Sequence, residues 1–229
     1  MSNAPRLSPA ASENCGPPAE PRSDCIFCPR LADFRHANRI KFPDWFNAPV
    51  PSFGSVDSSL LIVGLAPGLK GANRTGRPFT GDYAGVLLYE TLLNFGFARG
   101  RYDQRPDDGL VLVDCRITNG VRCVPPANKP FPDEVTACRG FLAATIKEMR
   151  DLRAILALGR IAFETTLRAL DMKTARHKFS HGGAVDLGGG RKLFGSYHCS
   201  RYNTNTGRLT ASMFQRVFEQ IAAHLKRAA

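Results

Sequence analysis

Residues 59–64 read Ser-Leu-Leu-Ile-Val-Gly, four large apolar side chains in a row with no polar residue among them. A strand with one wet face alternates. An unbroken run of this length suits a central strand of a parallel sheet, covered on both faces. The pattern returns at residues 110–114 (LVLVD), 154–158 (AILAL) and 192–197. Between these runs lie stretches with helical period, expected at residues 81–95, 133–150 and 159–170, with a last helix from 210 to about 225. In the first of them Val86, Leu87, Tyr89 and Leu93 should face inward. In the second, Val135, Cys138, Leu142, Ile146 and Met149 fall on one stripe at spacings of three and four. The last carries Leu209, Met213, Val217, Ile221 and Leu225. Strands alternating with helices make this an α/β chain whose parallel sheet of about four strands is covered on both faces. Residues 173–191 read as a basic, glycine-rich loop with a small hairpin turned at Gly188-Gly189-Gly190.

Ahead of the first strand, residues 1–22 are rich in Ala, Pro and Ser without periodicity and read as a disordered tail, leaving 23–229 as one domain. Residues 30–38 could form a short helix. Residues 44–51 form a Pro-limited extended arm that holds the single Trp45. No apolar run approaches a membrane span of roughly 20 residues. The N-terminus lacks the apolar core of a secretion signal, so an intracellular, cytoplasmic protein is expected. The formal charge of +11 is the footprint of a polyanion binder or of a basic surface without a partner.

Seven cysteines stand at positions 15, 25, 28, 115, 123, 138 and 199. An odd number without a secretion signal argues against a disulfide framework and for metal or cluster ligation. Cys25 and Cys28 form a C-x2-C. Cys123 and Cys138 flank a Pro-rich connector and the first turns of a helix. By spacing, these four suit zinc and a [4Fe-4S] cluster equally. Cys15 lies in the tail, and Cys115 should be buried packing just past a core strand.

The junction from strand to helix at residues 60–88 is where ligands bind in a parallel α/β sheet. It is not a phosphate-binding P-loop, because Lys70 is followed by neither Ser nor Thr, and it lacks a dinucleotide fingerprint. What it holds is Gly-Leu-Ala-Pro-Gly at 64–68 and Gly-Ala-Asn-Arg-Thr-Gly-Arg-Pro-Phe-Thr-Gly at 71–81. A second loop at 198–210 reads His-Cys-Ser-Arg-Tyr-Asn-Thr-Asn-Thr-Gly-Arg-Leu-Thr.

Together with the arm DWFNAPVPSFG at 44–54 and T-N-G-V-R-C-x-P-P-x-N-K-P at 118–130, these strings closely resemble the uracil-DNA glycosylase superfamily, and its family 5 branch in particular. The resemblance runs from Cys25 to the last helix. It implies a three-layer α/β/α sandwich and a monofunctional DNA glycosylase of base excision repair, acting on duplex DNA from the minor-groove side as a nucleoid-associated monomer. It also implies a [4Fe-4S] cluster on Cys25, Cys28, Cys123 and Cys138. The alternative is a non-catalytic Fe-S module that binds damaged DNA.

By the same resemblance, Ala66 sits where sister families place the side chain that orients the attacking water, and a methyl group cannot do that. His198 would donate to O2 of the leaving uracil. Asn119 matches the amide that reads O4 and N3–H. Phe79 would stack on the flipped base, against a core Phe; between Pro78 and Thr80 in a glycine loop it suits a platform. Asn73 is the candidate for positioning water, against a turn residue holding the loop. Asp82 is either a carboxylate near the site or a helix cap. Gly68 replaces a bulky side chain and implies a broader pocket that could admit hypoxanthine. Ser200, Arg201 and Tyr202 match the loop that enters the minor groove, with Tyr202 as the wedge. Cys199 departs from the Pro common there. Arg74, Arg77, Arg122, Arg201 and Arg208 are expected on phosphates.

Overall fold

A computed structural model describes residues 18–227 of the chain. The first half holds α1 (Pro29–Lys41), β1 (Leu60–Gly64), α2 (Ala72–Thr75), α3 (Tyr83–Asn94), β2 (Ala98–Arg99), β3 (Val111–Leu112) and β4 (Cys115–Asn119). The second holds α4 (Pro132–Glu148), β5 (Ala154–Leu158), α5 (Arg160–Ala169), β6 (Ala184–Gly188), β7 (Arg191–Ser196), α6 (Arg201–Asn205) and α7 (Ala211–Arg227).

The main sheet has five strands in the order β4-β1-β5-β7-β6. The first four are parallel, and β6 pairs antiparallel with β7 at one edge. The hairpin joining β6 to β7 turns at Gly188, Gly189 and Gly190, all with positive φ. It supplies the strand beyond the four expected.

Alternation along β1 divides the core. Leu60 and Ile62 join Leu88, Leu92, Phe214 and Phe218 on one face of the sheet. Leu61 and Val63 join Leu142, Ile146, Phe163 and Leu167 on the other. Helices α3 and α7 thus cover one face and α4 and α5 the other, which makes the three layers. The stripe expected on α4 is buried as a whole, from Val135 to Met149.

Two expectations fail, each for a local reason. The run at 110–114 is not a sheet strand. Val111 and Leu112 pair with Ala98 and Arg99 in a separate two-stranded ribbon, and Val111 is 48% exposed. The strand beside β1 is Cys115–Asn119, paired from Leu60↔Cys115 to Gly64↔Asn119. It carries polar residues because it is an edge strand, closed by the arm through reciprocal backbone bonds between Phe53 and Ile117 (2.9 and 2.7 Å). Cys115, expected past a strand, opens this one and is buried. On α3, Val86 is exposed, and the inward face carries Ala84, Gly85, Leu88, Tyr89 and Leu92.

Of the expected tail, residues 1–17 with Cys15 lie outside the described residues. Ala19 and Glu20, assigned to that tail by composition, are packed. Ala19 is buried, and the Glu20 carboxylate takes Arg122 Nη1 at 2.9 Å and Arg116 Nη2 at 3.2 Å. Two arginines near the edge strand need a counter-charge, and this segment supplies it. Among the described residues no helix is long and apolar enough to cross a membrane.

Candidate active site and cysteine cavity

The ends of β1 and β4 and the two loops enclose a cavity of about 370 Å³, a size suited to one small ligand. Leu65, Ala66, Pro67 and Gly68 form its wall after β1. Asn119 closes the end of β4, and Phe79, Asp82 and Tyr83 come from the approach to α3. His198, Ser200 and Arg201 come from the second loop, and Asn128 from the Pro-rich connector. Of the residues expected around a base, Ala66, Gly68, Phe79, Asn119 and His198 therefore meet in one place.

Close packing sets their geometry. Gly64 faces Asn119 across the β1–β4 register. A Cβ on Gly64 would lie 2.3 Å from Asn119 Oδ1 and 2.6 Å from the Phe79 ring, so only glycine lets both side chains enter the cavity. The Phe79 ring lies 5.9 Å from the His198 ring, tilted by 33°. Phe79 adopts φ +54°, a left-handed conformation uncommon for an aromatic residue. The protein packed around His198 lowers its pKa to about 4, so at neutral pH the imidazole is uncharged. An uncharged ring with one N–H can donate to an oxygen that is gaining negative charge. Asn203 Nδ2 holds the His198 carbonyl at 2.8 Å.

Asp82 is the residue that sequence reasoning undervalued. It stands at the N-cap position of α3, yet its side chain makes no capping bond. Asp82 lines the cavity, and its Oδ1 is buried without a well-formed hydrogen bond among the described residues, the Gly85 and Ala84 backbone N–H groups lying near the carboxylate. Burial raises its pKa above the ordinary aspartate value, against the lowering effect of the Gly85 and Ala84 N–H groups. Glycines make its seat. A Cβ at Gly71 would come within 2.3 Å of Asp82 Oδ2, and one at Gly68 within 3.0 Å. The signal was available in the sequence, since Asp82 follows a glycine-rich loop, but cap and site residue look alike there.

Asn73 goes elsewhere. In the single turn of α2, Ala72 faces the cavity, and the next side chain points about 100° round the helix. Asn73 is fully buried and gives its Nδ2 to Asn47 Oδ1 at 2.9 Å, tying the first loop to the arm.

The arginines separate into two groups. Arg77 and Arg122 are not on the surface, which corrects their assignment to phosphates. Arg77 is 5% exposed and bidentate to Asp108 at 2.8 and 2.7 Å. Arg122 is 1% exposed and bonds Glu20, Ser52 Oγ, Thr145 Oγ1 and the Ala19 carbonyl. A buried guanidinium needs partners inside the protein. All three Arg77 nitrogens have them, and both terminal nitrogens of Arg122 do, while Arg122 Nε has none among the described residues. Arg74, Arg201 and Arg208 are exposed. Arg201 lies 5.1 Å from the Tyr83 ring at the cavity mouth, and Arg208 lies 4.8 Å from the Tyr197 ring. Tyr202, on the one-turn helix α6, is 72% exposed.

Cys25, Cys28, Cys123 and Cys138 converge elsewhere. They line one small apolar cavity with Leu31, Val121 and Phe141. N–H groups point at two of the sulfurs. Arg35 Nη1 lies 3.0 Å from Cys123 Sγ, and the Arg122 backbone N–H donates to Cys138 Sγ at 3.3 Å. Donors of this kind are what a set of anionic thiolates requires. Among the described residues, no three His, Cys, Asp or Glu side chains gather tightly enough to hold a single metal ion.

Residues 51–222 match the family model described as the uracil DNA glycosylase superfamily. A type-5 uracil-DNA glycosylase of Thermus thermophilus is 42% identical over 198 residues, covering 84% of this chain and 90% of that protein. A type-5 enzyme of Pyrobaculum aerophilum is 37% identical over 204 residues, covering 87% of this chain and 88% of its own. A type-4 uracil-DNA glycosylase of Thermotoga maritima is 33% identical over 177 residues, covering 77% and 76%.

Proposed function

The chain belongs to the uracil-DNA glycosylase superfamily and to its type-5 branch, and from that premise we propose how its cavity excises a base. It is an enzyme that hydrolyses N-glycosyl bonds, and it acts on uracil in DNA in the service of repair.

The bond breaks between a sugar carbon that becomes cationic and a base that leaves as an anion. In our reading the base enters the cavity, stacks on Phe79 and presents its edge to Asn119. His198, held neutral, donates its N–H to O2 of the leaving uracil and stabilises the developing charge. Asp82 holds and deprotonates the attacking water, and its anionic form also favours the cationic sugar. Water adds to the sugar carbon as the glycosidic bond breaks. The products are free base and an abasic site, with the strand intact.

The observation that carries this reading is the Asp82 carboxylate with its unpartnered buried oxygen, in the same cavity as an uncharged His198. It answers the difficulty posed by Ala66. It also weighs against a non-catalytic damage-binding module, whose motive was the missing side chain at Ala66. The space at Gly68 supports a pocket wider than uracil needs, able to take hypoxanthine. Arg74, Ser200, Arg201, Tyr202 and Arg208 supply the phosphate contacts and the wedge on duplex DNA, on the minor-groove side. The enzyme works as a monomer in the cytoplasm, at the nucleoid.

Cys25, Cys28, Cys123 and Cys138 would hold a [4Fe-4S] cluster. The four cysteines line one shared apolar cavity, as ligands of a single group would. When bound, the cluster supplies a covalent tie and a one-electron couple. The chain's own contribution is the set of N–H donors at Cys123 and Cys138.

The test is release of base from duplexes carrying U:G or hypoxanthine. Purified protein should free the base and leave the strand uncut until alkali is added. Binding without release of any base would overturn the reading. A broad visible absorption of the purified protein checks the cluster.

A further inference from the structure

Arg77 contacts neither the cavity nor solvent, yet the atoms around it converge on Phe79. Its Nη1 and Nη2 meet the buried Asp108 carboxylate, which also accepts the Asp103 and Leu110 N–H groups at 2.8 and 3.1 Å. Its Nε donates to Thr80 Oγ1 at 2.8 Å, directly after Phe79. The guanidinium lies among three rings, 5.3 Å from that of Phe53, 5.5 Å from Tyr89 and 5.8 Å from Tyr102.

Two of those rings end in hydroxyls that grip the platform's backbone. Tyr89 OH donates to the Pro78 carbonyl at 2.6 Å, and Tyr102 OH to the Phe79 carbonyl at 3.1 Å. Gly85 makes room for this. A Cβ there would lie 1.8 Å from the Phe79 carbonyl oxygen and 2.3 Å from Tyr102 OH. A left-handed φ on an aromatic residue persists only where its surroundings hold it. Here both neighbouring carbonyls and the next side chain are held.

We propose that Arg77, Asp108 and Tyr102 form a positioning cage that sets the angle of the Phe79 ring against the flipped base. The segment between β2 and β3, which contributes Tyr102 and Asp108, is thereby part of the catalytic apparatus although it touches no substrate. The inference rests on the reading of Phe79 as the stacking platform. It assigns Arg77 a role in base capture in place of one on the DNA backbone.

Tyr102→Phe removes one hydroxyl and keeps the ring, so the fold should survive. The expected result is a single-turnover rate of uracil release lowered roughly tenfold, the worth of about one hydrogen bond, with affinity for uracil-containing duplex unchanged. Asp108→Asn should do the same to a larger degree. The deciding measurement is a double-mutant cycle. In a Phe79→Ala background, itself slow, Tyr102→Phe should cost nothing further. If Tyr102→Phe slows Phe79→Ala as much as it slows the wild type, or leaves the wild-type rate intact, the cage is overturned while the platform stands. If Phe79→Ala releases uracil at the wild-type rate, the platform reading falls and the cage with it.

Discussion

The two loops that meet over the sheet differ in how their polar groups are satisfied. From Gly68 to Thr80 the first loop is tied inward. Asn73 is bonded to Asn47, Arg77 to Asp108, and Thr75 Oγ1 to the Thr80 carbonyl at 3.1 Å. The second loop gives Tyr202 and Arg208 to solvent, and Arg201 rests only on a ring at the cavity mouth. In the proposed reading, one loop holds a small ligand at fixed angles and the other meets a large polyanion. Arginines that look alike in the sequence separate: Arg77 of the first loop is a structural counter-ion, while Arg74 beside it and Arg201 and Arg208 of the second loop are surface charges.

The sharpest break of this comparison would come from the cavity residues. His198→Ala should lower single-turnover release about 10²- to 10³-fold, as expected for losing a donor to a developing anion, with duplex affinity little changed. Asn73→Ala should lose far less rate but lose stability, about 1–3 kcal/mol, because Asn47 Oδ1 is left unpaired. Rates in the reverse order would mean that Asn73 reaches the chemistry after all.

Next is the cost of breaking the inward ties. Arg77→Ala leaves the Asp108 carboxylate without its charge partner, held only by the Asp103 and Leu110 N–H groups, which should cost about 3 kcal/mol in denaturant unfolding. The arginine holds the Asp108 carboxyl far below the usual range against the opposing effect of burial. A depressed carboxyl adds stability above its unfolded pKa and loses it only as pH falls through the folded value. This ion pair should therefore last into strong acid. An Arg77→Ala protein as stable as the wild type would erase the distinction between the loops.

The smallest effects belong to the second loop. Arg208→Ala should leave the melting temperature unchanged and reduce the slope of log affinity against log salt by about 0.9, one phosphate contact. Tyr202→Ala should weaken release from duplex more than from single strands, since only a duplex has a stack to refill. Equal losses on both substrates would remove the wedge.

Much of this was legible in the chain. LLIVG and AILAL are buried on both faces and read so directly. CRITN was missed because an edge strand under an arm has no need of an apolar pattern, whereas Val111 and Val113 look like core and are exposed in the ribbon and just beyond it. His198, Phe79 and Asn119 were legible through their strings. The pairing of Arg77 with Asp108 was not, because the partners are 31 positions apart and only the folded chain brings them together. The place of Asp82 in the cavity wall was hidden in the sequence, since a helix start explains an aspartate well enough on its own.

The central claim is that Asp82 supplies what Ala66 cannot. It is tested by the pH dependence of single-turnover uracil release for wild type and Asp82→Asn. In the wild type, release should fall as pH drops through the raised Asp82 pKa, at higher pH than an ordinary aspartate would give. His198, whose pKa is lowered to about 4 by the protein packed around it, stays uncharged through the neutral range. In Asp82→Asn the rate should drop about 10²- to 10⁴-fold and the acid limb should vanish. The melting temperature at neutral pH should rise, because a carboxyl whose folded pKa is raised loses stability as pH climbs. An Asp82→Asn enzyme with the wild-type rate and the wild-type acid limb would contradict the account.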